Sequence, residues 1–482
     1  MIMYYKDLQH FIKVLEKKKQ VKHIKAPVSA NLEITEIADR IVKQNGPALF
    51  FENVKGSPYP VCINTVGTYE RMAMSLGVKD VDDIAKRIEK LIDIKRYVKI
   101  TDKVKAAPDL LSLLSVFPLK VKNAPCQEVI EEPDLSTLPI LKCWPDDGGK
   151  FITLPLVFTK DPDTGTQNIG MYRMQVYDKK TTGMHWHIHK DGREIHEKYK
   201  KLGGKMPVSV VIGCDPATMY AATAPLPKMM DEIMFAGFIR KFPVSMVKCV
   251  TNDIYVPANS EFVLEGYVRT DELRMEGPFG DHTGYYSEKD VYPVFHITKI
   301  TRKKNPVYVT TIVGKPPMED CYMGKATERL FLPLVKMTNP EIVDMNFPLE
   351  GVFHNCVIVS INKKYPLHAK KIMNSLWGMG QMMYTKMIIV VDKNVNPHDL
   401  STVAWKVFNN IDAKRDVVIS EGPLDALDHA SNTRFMGHRM GIDATKKWES
   451  EGYTRDWPDD IEMSEAVKRR VDKRWKEYGF NK

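Results

Sequence analysis

Phe262-Val263-Leu264-Glu265-Gly266-Tyr267-Val268 is a short run rich in β-branched and aromatic residues, and it has companions on both sides. Between about residues 155 and 313, comparable runs at 208–212, 246–250, 294–300 and 307–313 alternate with turn residues, and one helix over 229–240 interrupts them. Short strands at this spacing imply a β-barrel or sandwich. Upstream the period changes. Leu8, Phe11, Ile12 and Leu15 share one helical face, and Lys17, Lys18 and Lys19 follow at the negative end of the helix dipole. Val81, Ile84, Ile88 and Leu91 form a second stripe with Asp80 placed to cap it, and residues 47–52 and 61–64 look like short buried strands. Downstream, strands over 357–361, 387–391 and 417–420 alternate with helices over 368–379 and 400–410, a pattern that packs as a parallel sheet covered by helices. The expectation is a multidomain chain of mixed α/β and β character, divided at 1–125, 126–320 and 321–482. A basic terminal helix bearing Val467, Val471 and Trp475 reads as an arm that docks on a neighbouring subunit.

Composition narrows the function classes. The chain has 482 residues, 43% hydrophobic and 27% charged, and 70 Lys+Arg against 61 Asp+Glu leave a net charge of +9. A surplus so small and so dispersed argues against nucleic-acid binding and fits small anionic ligands. No apolar stretch reaches the roughly 20 residues needed to span a bilayer. The N-terminus lacks the basic-then-apolar order of a secretory signal. Cys62, Cys126, Cys143, Cys214, Cys249, Cys321 and Cys356 are scattered without a CxxC pair, as expected of reduced thiols in a cytoplasmic protein.

Three clusters carry polar chemistry. Glu276-Gly277-Pro278-Phe279-Gly280-Asp281-His282-Thr283-Gly284-Tyr285-Tyr286 puts two acids, a histidine and two tyrosines on a tight turn. It reads equally as a polar hairpin or as a pair of carboxyls sharing a proton, one of them a general acid. Asn168-Ile169-Gly170-Met171-Tyr172-Arg173 offers a glycine that would let a ligand approach the backbone, and a guanidinium fork suited to a carboxylate or phosphate. Met184-His185-Trp186-His187-Ile188-His189-Lys190-Asp191 would place three histidines on one face of a strand, as a zinc hydrolase centre or as a merely polar face. The 229–240 helix adds Glu232 to a Met-rich, mostly apolar element. No Walker loop, GxGxxG after a strand, or GxSxG elbow is present.

Taken together, the Asn168–Gln175 string, the His189 segment, Glu232 in an acid-x-x-Phe-Ala-Gly helix and the Glu276–Tyr286 turn resemble the UbiD family of decarboxylases. So do Gly46–Asn53, Gly314–Pro317, Met383–Lys386 and Met440–Thr445, in the same order along nearly the whole chain. The resemblance implies a central split β-barrel of the flavin-reductase type between N- and C-terminal α/β domains, assembled as a dimer or hexamer. It implies prenylated FMN as cofactor, supplied by a flavin prenyltransferase, because a carbanion left by CO₂ needs an organic electron sink. Asn168, His189 and Glu232 would hold Mn²⁺ or Mg²⁺, and K⁺ would sit on backbone carbonyls near Ala222 and Thr223. Met171, Tyr172, His185, Trp186, His187, Lys190 and Asp191 would line the cofactor, with Lys386 at its phosphates. Arg173 would orient the substrate, Glu276 would position Arg173, and Asp281, as a neutral acid, would protonate the product carbon. Aspartate at 281 resembles the polyprenyl-hydroxybenzoate branch. That implies a 4-hydroxybenzoate-type acid of ubiquinone formation, with peripheral contact at the inner membrane surface for a prenylated substrate, or a naphthoate-type precursor of menaquinone.

Overall fold

The computed structural model describes residues 4–94, 116–187, 190–227 and 230–480. Helix Leu8–Lys17 buries Leu8, Phe11, Ile12 and Leu15, and Asp7 caps it by accepting from the His10 amide at 2.8 Å. Such a cap stabilises by about 1 kcal/mol. Helix Asp82–Ile94 starts where the Asp82 amide donates to the Asp80 carboxylate at 2.9 Å. Strands Val21–Ile24, Ala48–Phe51 and Val61–Ile63 form the N-terminal sheet, and its fourth strand is Tyr308–Val309, parallel to Val61–Ile63.

The central sheet is antiparallel throughout. Its order is Thr181–Gly183, Asp290–Arg302, Phe262–Glu276, Lys205–Ile212, Pro155–Lys160, Gln167–Met171, and Val129–Glu131 adds a short strand on Asp290–Arg302. Phe262–Val268 is thus the first half of a strand that continues to Glu276 and faces Asp290. Its register slips beside Gly266, where a Cβ would stand 1.9 Å from the His296 carbonyl oxygen. Only glycine fits such a bulge. Among the described residues the ladder is an open path and does not close into a barrel. One apolar core runs without a break from Leu8 to Leu330, so the N-terminal and central segments share their interior.

Helix Glu319–Thr338 leads to a five-stranded sheet ordered Ile342–Asn346, Cys356–Ile361, Met387–Asp392, Met436–Asp443, Val417–Pro423. The sheet is mixed, not parallel as the alternation suggested. Cys356–Ile361, Met387–Asp392 and Met436–Asp443 run parallel, while Val417–Pro423 is an edge strand antiparallel to Met436–Asp443. Residues 424–435, which join those last two strands, hold no helix for a crossover and bring the chain back as a hairpin. The terminal helix Glu465–Arg474 buries none of its residues. No helix among the described residues is long and apolar enough to cross a membrane.

Candidate functional site

The Glu276–Tyr286 turn is a hairpin and a charged centre at once. Gly280 bridges Tyr286, the Asp281 amide donates to the Tyr285 carbonyl at 3.0 Å, and Gly284 turns at φ +81°. A second loop buttresses it. The Gly148 amide donates to the Pro278 carbonyl at 2.8 Å, and the Gly280 amide donates to Asp147 at 2.8 Å. Gln175 accepts from the Gly277 amide at 2.8 Å and donates to the Gly148 carbonyl at 2.9 Å. A Cβ on Gly280 would lie 2.2 Å from Cδ1 of Trp144, whose indole donates to the Val313 carbonyl at 2.9 Å. Gly280→Ala is therefore expected to destabilise the protein by about 1–3 kcal/mol. A denaturation midpoint equal to wild type would show that the turn does not need this approach.

Arg173 lies between strands Gln167–Met171 and Met174–Gln175, which directs its buried side chain into the turn. Its Nε and Nη2 reach Glu276 Oε1 at 3.0 and 2.9 Å, its Nη1 pairs with the Asp281 carboxylate, and its Nη2 also donates to the Ser287 hydroxyl at 3.0 Å. Its guanidinium stands 4.9 Å from the Phe279 ring centre. Residues more than a hundred positions apart thus form one cluster in which a single guanidinium bridges two carboxylates.

This geometry corrects the expectation that the two acids share a proton. Burial works to raise Asp281, but Arg173 and then His282 outweigh it and hold the carboxyl well below the usual carboxylate range. Burial likewise works to raise Glu276, and Arg173 and His185 bring it below its ordinary value. A guanidinium between two carboxyls removes the repulsion that would have kept one of them neutral.

Only some of the other expected site residues gather. His185 Nδ1 is 2.8 Å from Glu276 Oε1, and its Nε2 is 2.6 Å from Nε2 of His187. Burial first, then His185, push His187 down to about 3. His185 and His187 lie beyond the strand Thr181–Gly183, and His189 lies outside the described residues. Among the described residues no group of three or more His, Cys, Asp or Glu could hold a metal ion. Glu276 keeps one buried oxygen, Oε2, without a hydrogen bond among the described residues.

Asn168 donates through Nδ2 to Glu232 Oε1 at 3.1 Å, while its buried Oδ1 has no partner among the described residues. Glu232 opens helix Glu232–Arg240, and burial pushes its carboxyl up to about 7. An orphan amide oxygen beside a carboxylate is part of a donor set that a hard divalent ion satisfies. The space above Gly170, read from the sequence as room for a ligand, belongs to the protein: a Cβ there would stand 2.3 Å from the Tyr172 ring. Tyr172 and Trp186 are buried and meet edge to face at 6.5 Å, and Met171 is half-buried on the same strand. Lys190 is exposed and precedes the helix Asp191–Leu202. Thr223 donates from both its amide and hydroxyl to the Tyr220 carbonyl, closing the short helix that ends beside Ala222. Lys386, expected at phosphates, pairs with Asp428 at 2.6 Å.

His282 and His354 are not among the residues that the sequence marks for a role. His282 Nδ1 lies 2.9 Å from Asp281 Oδ1, and its Nε2 lies 2.9 Å from His354 Nε2 on the C-terminal segment. Phe353 stacks on the His282 ring at 4.8 Å. His282 sits in the quoted turn and was visible there, but the contact with His354 is purely tertiary and left no local signal.

Known proteins resemble this chain along its whole length. Family profiles match residues 12–91, 119–316 and 321–444, described as the N-terminal, Rift-related and C-terminal domains of 3-octaprenyl-4-hydroxybenzoate carboxy-lyase. An uncharacterized protein of Archaeoglobus fulgidus is 53% identical over 477 residues, 98% of this chain and 99% of that one. Vanillic acid decarboxylase of Sedimentibacter hydroxybenzoicus in its closed form superposes with a TM-score of 0.85 at 29% identity, covering 99% of both chains. Its open form, also 29% identical, gives 0.81 over 99% of this chain and 100% of that one. The UbiD-class enzyme HmfF of Pelotomaculum thermopropionicum in complex with FMN gives 0.79 at 27% identity, covering 94% of this chain and 97% of that one. An evolved dimeric form of HmfF in complex with prFMN gives 0.78 at 25% identity, covering 96% and 98%. With three consecutive profiles in order and full-length likeness to solved decarboxylases, the chain belongs to the UbiD family of carboxy-lyases.

Proposed function

We propose that the protein is a non-oxidative decarboxylase of a 4-hydroxybenzoate-type acid, with or without a polyprenyl chain, that uses prenylated FMN. The observation that carries this reading is the buried Arg173–Glu276–Asp281 cluster, in which Glu276 Oε2 has no hydrogen bond among the described residues. The family profile's description and the vanillic acid decarboxylase support a ring-hydroxylated benzoic acid, and the HmfF complexes with FMN and prFMN support the cofactor. The 4-hydroxyl suits the chemistry because it helps the ring accept charge while the carboxyl leaves.

The modified flavin, when bound, supplies the electron sink that no side chain provides. Arg173 orients the substrate carboxylate, Glu276 and Ser287 hold the guanidinium in plane, and Asp281 carries the proton that replaces CO₂. Asn168 and Glu232, joined by His189, would hold Mn²⁺ or Mg²⁺, a role supported by the orphan Asn168 oxygen. Backbone carbonyls near Ala222 and Thr223 would take K⁺, and Lys386, released from Asp428, would contact the cofactor phosphates. In this reading the open central sheet is a split barrel, the units divide near residues 125 and 320, copies associate into a homo-oligomer, and a flavin prenyltransferase supplies the cofactor. Peripheral contact with a membrane surface follows if the substrate is prenylated.

Purified protein reconstituted with prenylated FMN, Mn²⁺ and a panel of hydroxybenzoates in D₂O is the test. CO₂ release with deuterium at the vacated carbon is expected, and metal content should fall in Glu232→Gln. Bound flavin with neither gas nor deuterium would overturn the reading.

A further inference from the structure

Asp281 presents a difficulty that the cluster itself resolves. The residue expected to deliver a proton is held ionised, because Arg173 grips one carboxylate oxygen and His282 grips the other through both its amide, at 2.7 Å, and its Nδ1, at 2.9 Å. A proton for the product must therefore be kept nearby. The groups around His282 show where. Its own turn contributes Asp281, with Arg173 beyond. The loop after strand Ile342–Asn346 contributes Phe353 and His354, the start of helix Glu319–Thr338 contributes Asp320, and the segment after Val417–Pro423 contributes Asp425. Three carboxyl groups thus act on one imidazole.

We propose that His282 stores the proton that Asp281 delivers, and that His354 fixes the imidazole in the orientation this requires. The inference rests on the carboxy-lyase reading above. His282 acts through Asp281 and is a positioning residue, not a group in contact with the substrate. Burial opposes its charge, but Asp281, then Asp320 and Asp425, outweigh burial and raise its pKa. Burial and the neighbouring His282 push His354 down. The consistent arrangement is an imidazolium that donates from Nδ1 to Asp281 and from Nε2 to the lone pair of a neutral His354. On turnover the Nδ1–H bond of His282 breaks as an O–H bond forms on Asp281, converting the ion pair to neutral imidazole and carboxylic acid. Asp281 then passes the proton to the carbon, where the electron pair of the broken C–C bond forms the new C–H bond. One proton from water recharges His282, matching the one consumed for each CO₂ released.

The backbone is built for this contact. Val352 and Phe353 sit at φ +43° and +56°, a region costly for side-chain-bearing residues and most of all for a β-branched valine. The strain aims His354 at His282, while Phe353 lies against Gly324, where a Cβ would come within 2.4 Å of its own.

The test compares wild type, His282→Gln and His354→Gln, each loaded with flavin to equal absorbance. His282→Gln is expected to lose about 10²–10³-fold in kcat with little change in KM, and free imidazole should restore part of it. Wild-type kcat should fall as pH rises through the His282 pKa, and that limb should vanish in the variant. A variant within threefold of wild type that keeps the same pH profile would overturn the proposal. Independently of turnover, ¹⁵N-imidazole NMR of wild type, with His354→Gln identifying the coupled ring, should show His282 doubly protonated at pH 7. A neutral His282 would overturn the proposal even if the variants fail to fold. Absence of turnover in loaded wild type would instead strike the carboxy-lyase assignment, leaving the NMR result to judge His282.

Discussion

Asp281→Asn is expected to bind flavin as wild type does and to lose turnover by about 10³-fold. Asparagine keeps the shape of the side chain. Its single amide oxygen can accept from Arg173 or from the His282 amide but not both, because those donors hold opposite oxygens of Asp281, so the turn loses one hydrogen bond while its other contacts remain. Asparagine cannot carry a proton from His282 Nδ1 to carbon. Deuterium incorporation from D₂O should fall in step with CO₂ release, because both need that transfer. Near-wild-type turnover in a variant with full flavin absorbance would remove Asp281 from the proton path.

Arg173→Met should have the larger effect on the fold. It leaves Glu276 and Asp281 buried without the cation between them, and removing one member of a buried pair costs about 3–5 kcal/mol. His185 still touches Glu276 and His282 still touches Asp281, which moderates the loss. The pH dependence should reverse as well. In wild type both carboxyls are depressed, so their contribution is present above their unfolded values, near 4, and is lost as pH falls toward their folded ones. Without Arg173, burial and mutual repulsion raise them. The native state then holds more protons than the unfolded state, and stability declines as pH rises from 4 to 8. Apparent Tm measured across that range checks this, and parallel curves for the two proteins would contradict it.

The elements that could be read from the sequence were those whose burial follows a local period. Leu8, Phe11, Ile12 and Leu15 mark their helix because one face meets the core, and Phe262–Val268 marks a strand buried between two neighbours. Strand Met436–Asp443 was not legible, since Gly437 and Gly441 depress its strand character. Yet Gly441 is closely packed there: a Cβ would stand 2.5 Å from Met373 Sδ, which would have to shift. Without that strand the alternation reads as an all-parallel sheet, because the hairpin that makes Val417–Pro423 antiparallel is hidden with it. At the site, the chemistry of Arg173, Glu276 and Asp281 was visible as residue types, but their assembly depends on contacts across 103 and 108 positions. Resemblance, not spacing, brought them together. Local spacing shows two acids and not the guanidinium between them, and so points to a shared proton.

Strand Tyr308–Val309 closes the N-terminal sheet by pairing with Val61–Ile63. A ribosome making this chain must therefore release everything between those two strands before the first sheet is complete, a delay on the order of tens of seconds at 5–20 residues per second. Until then Val61–Ile63 is an unsatisfied edge, open to chaperones or to strands of other nascent chains. A gene fusion or truncation that cuts between Val61–Ile63 and Tyr308–Val309 would sever a sheet, not a linker.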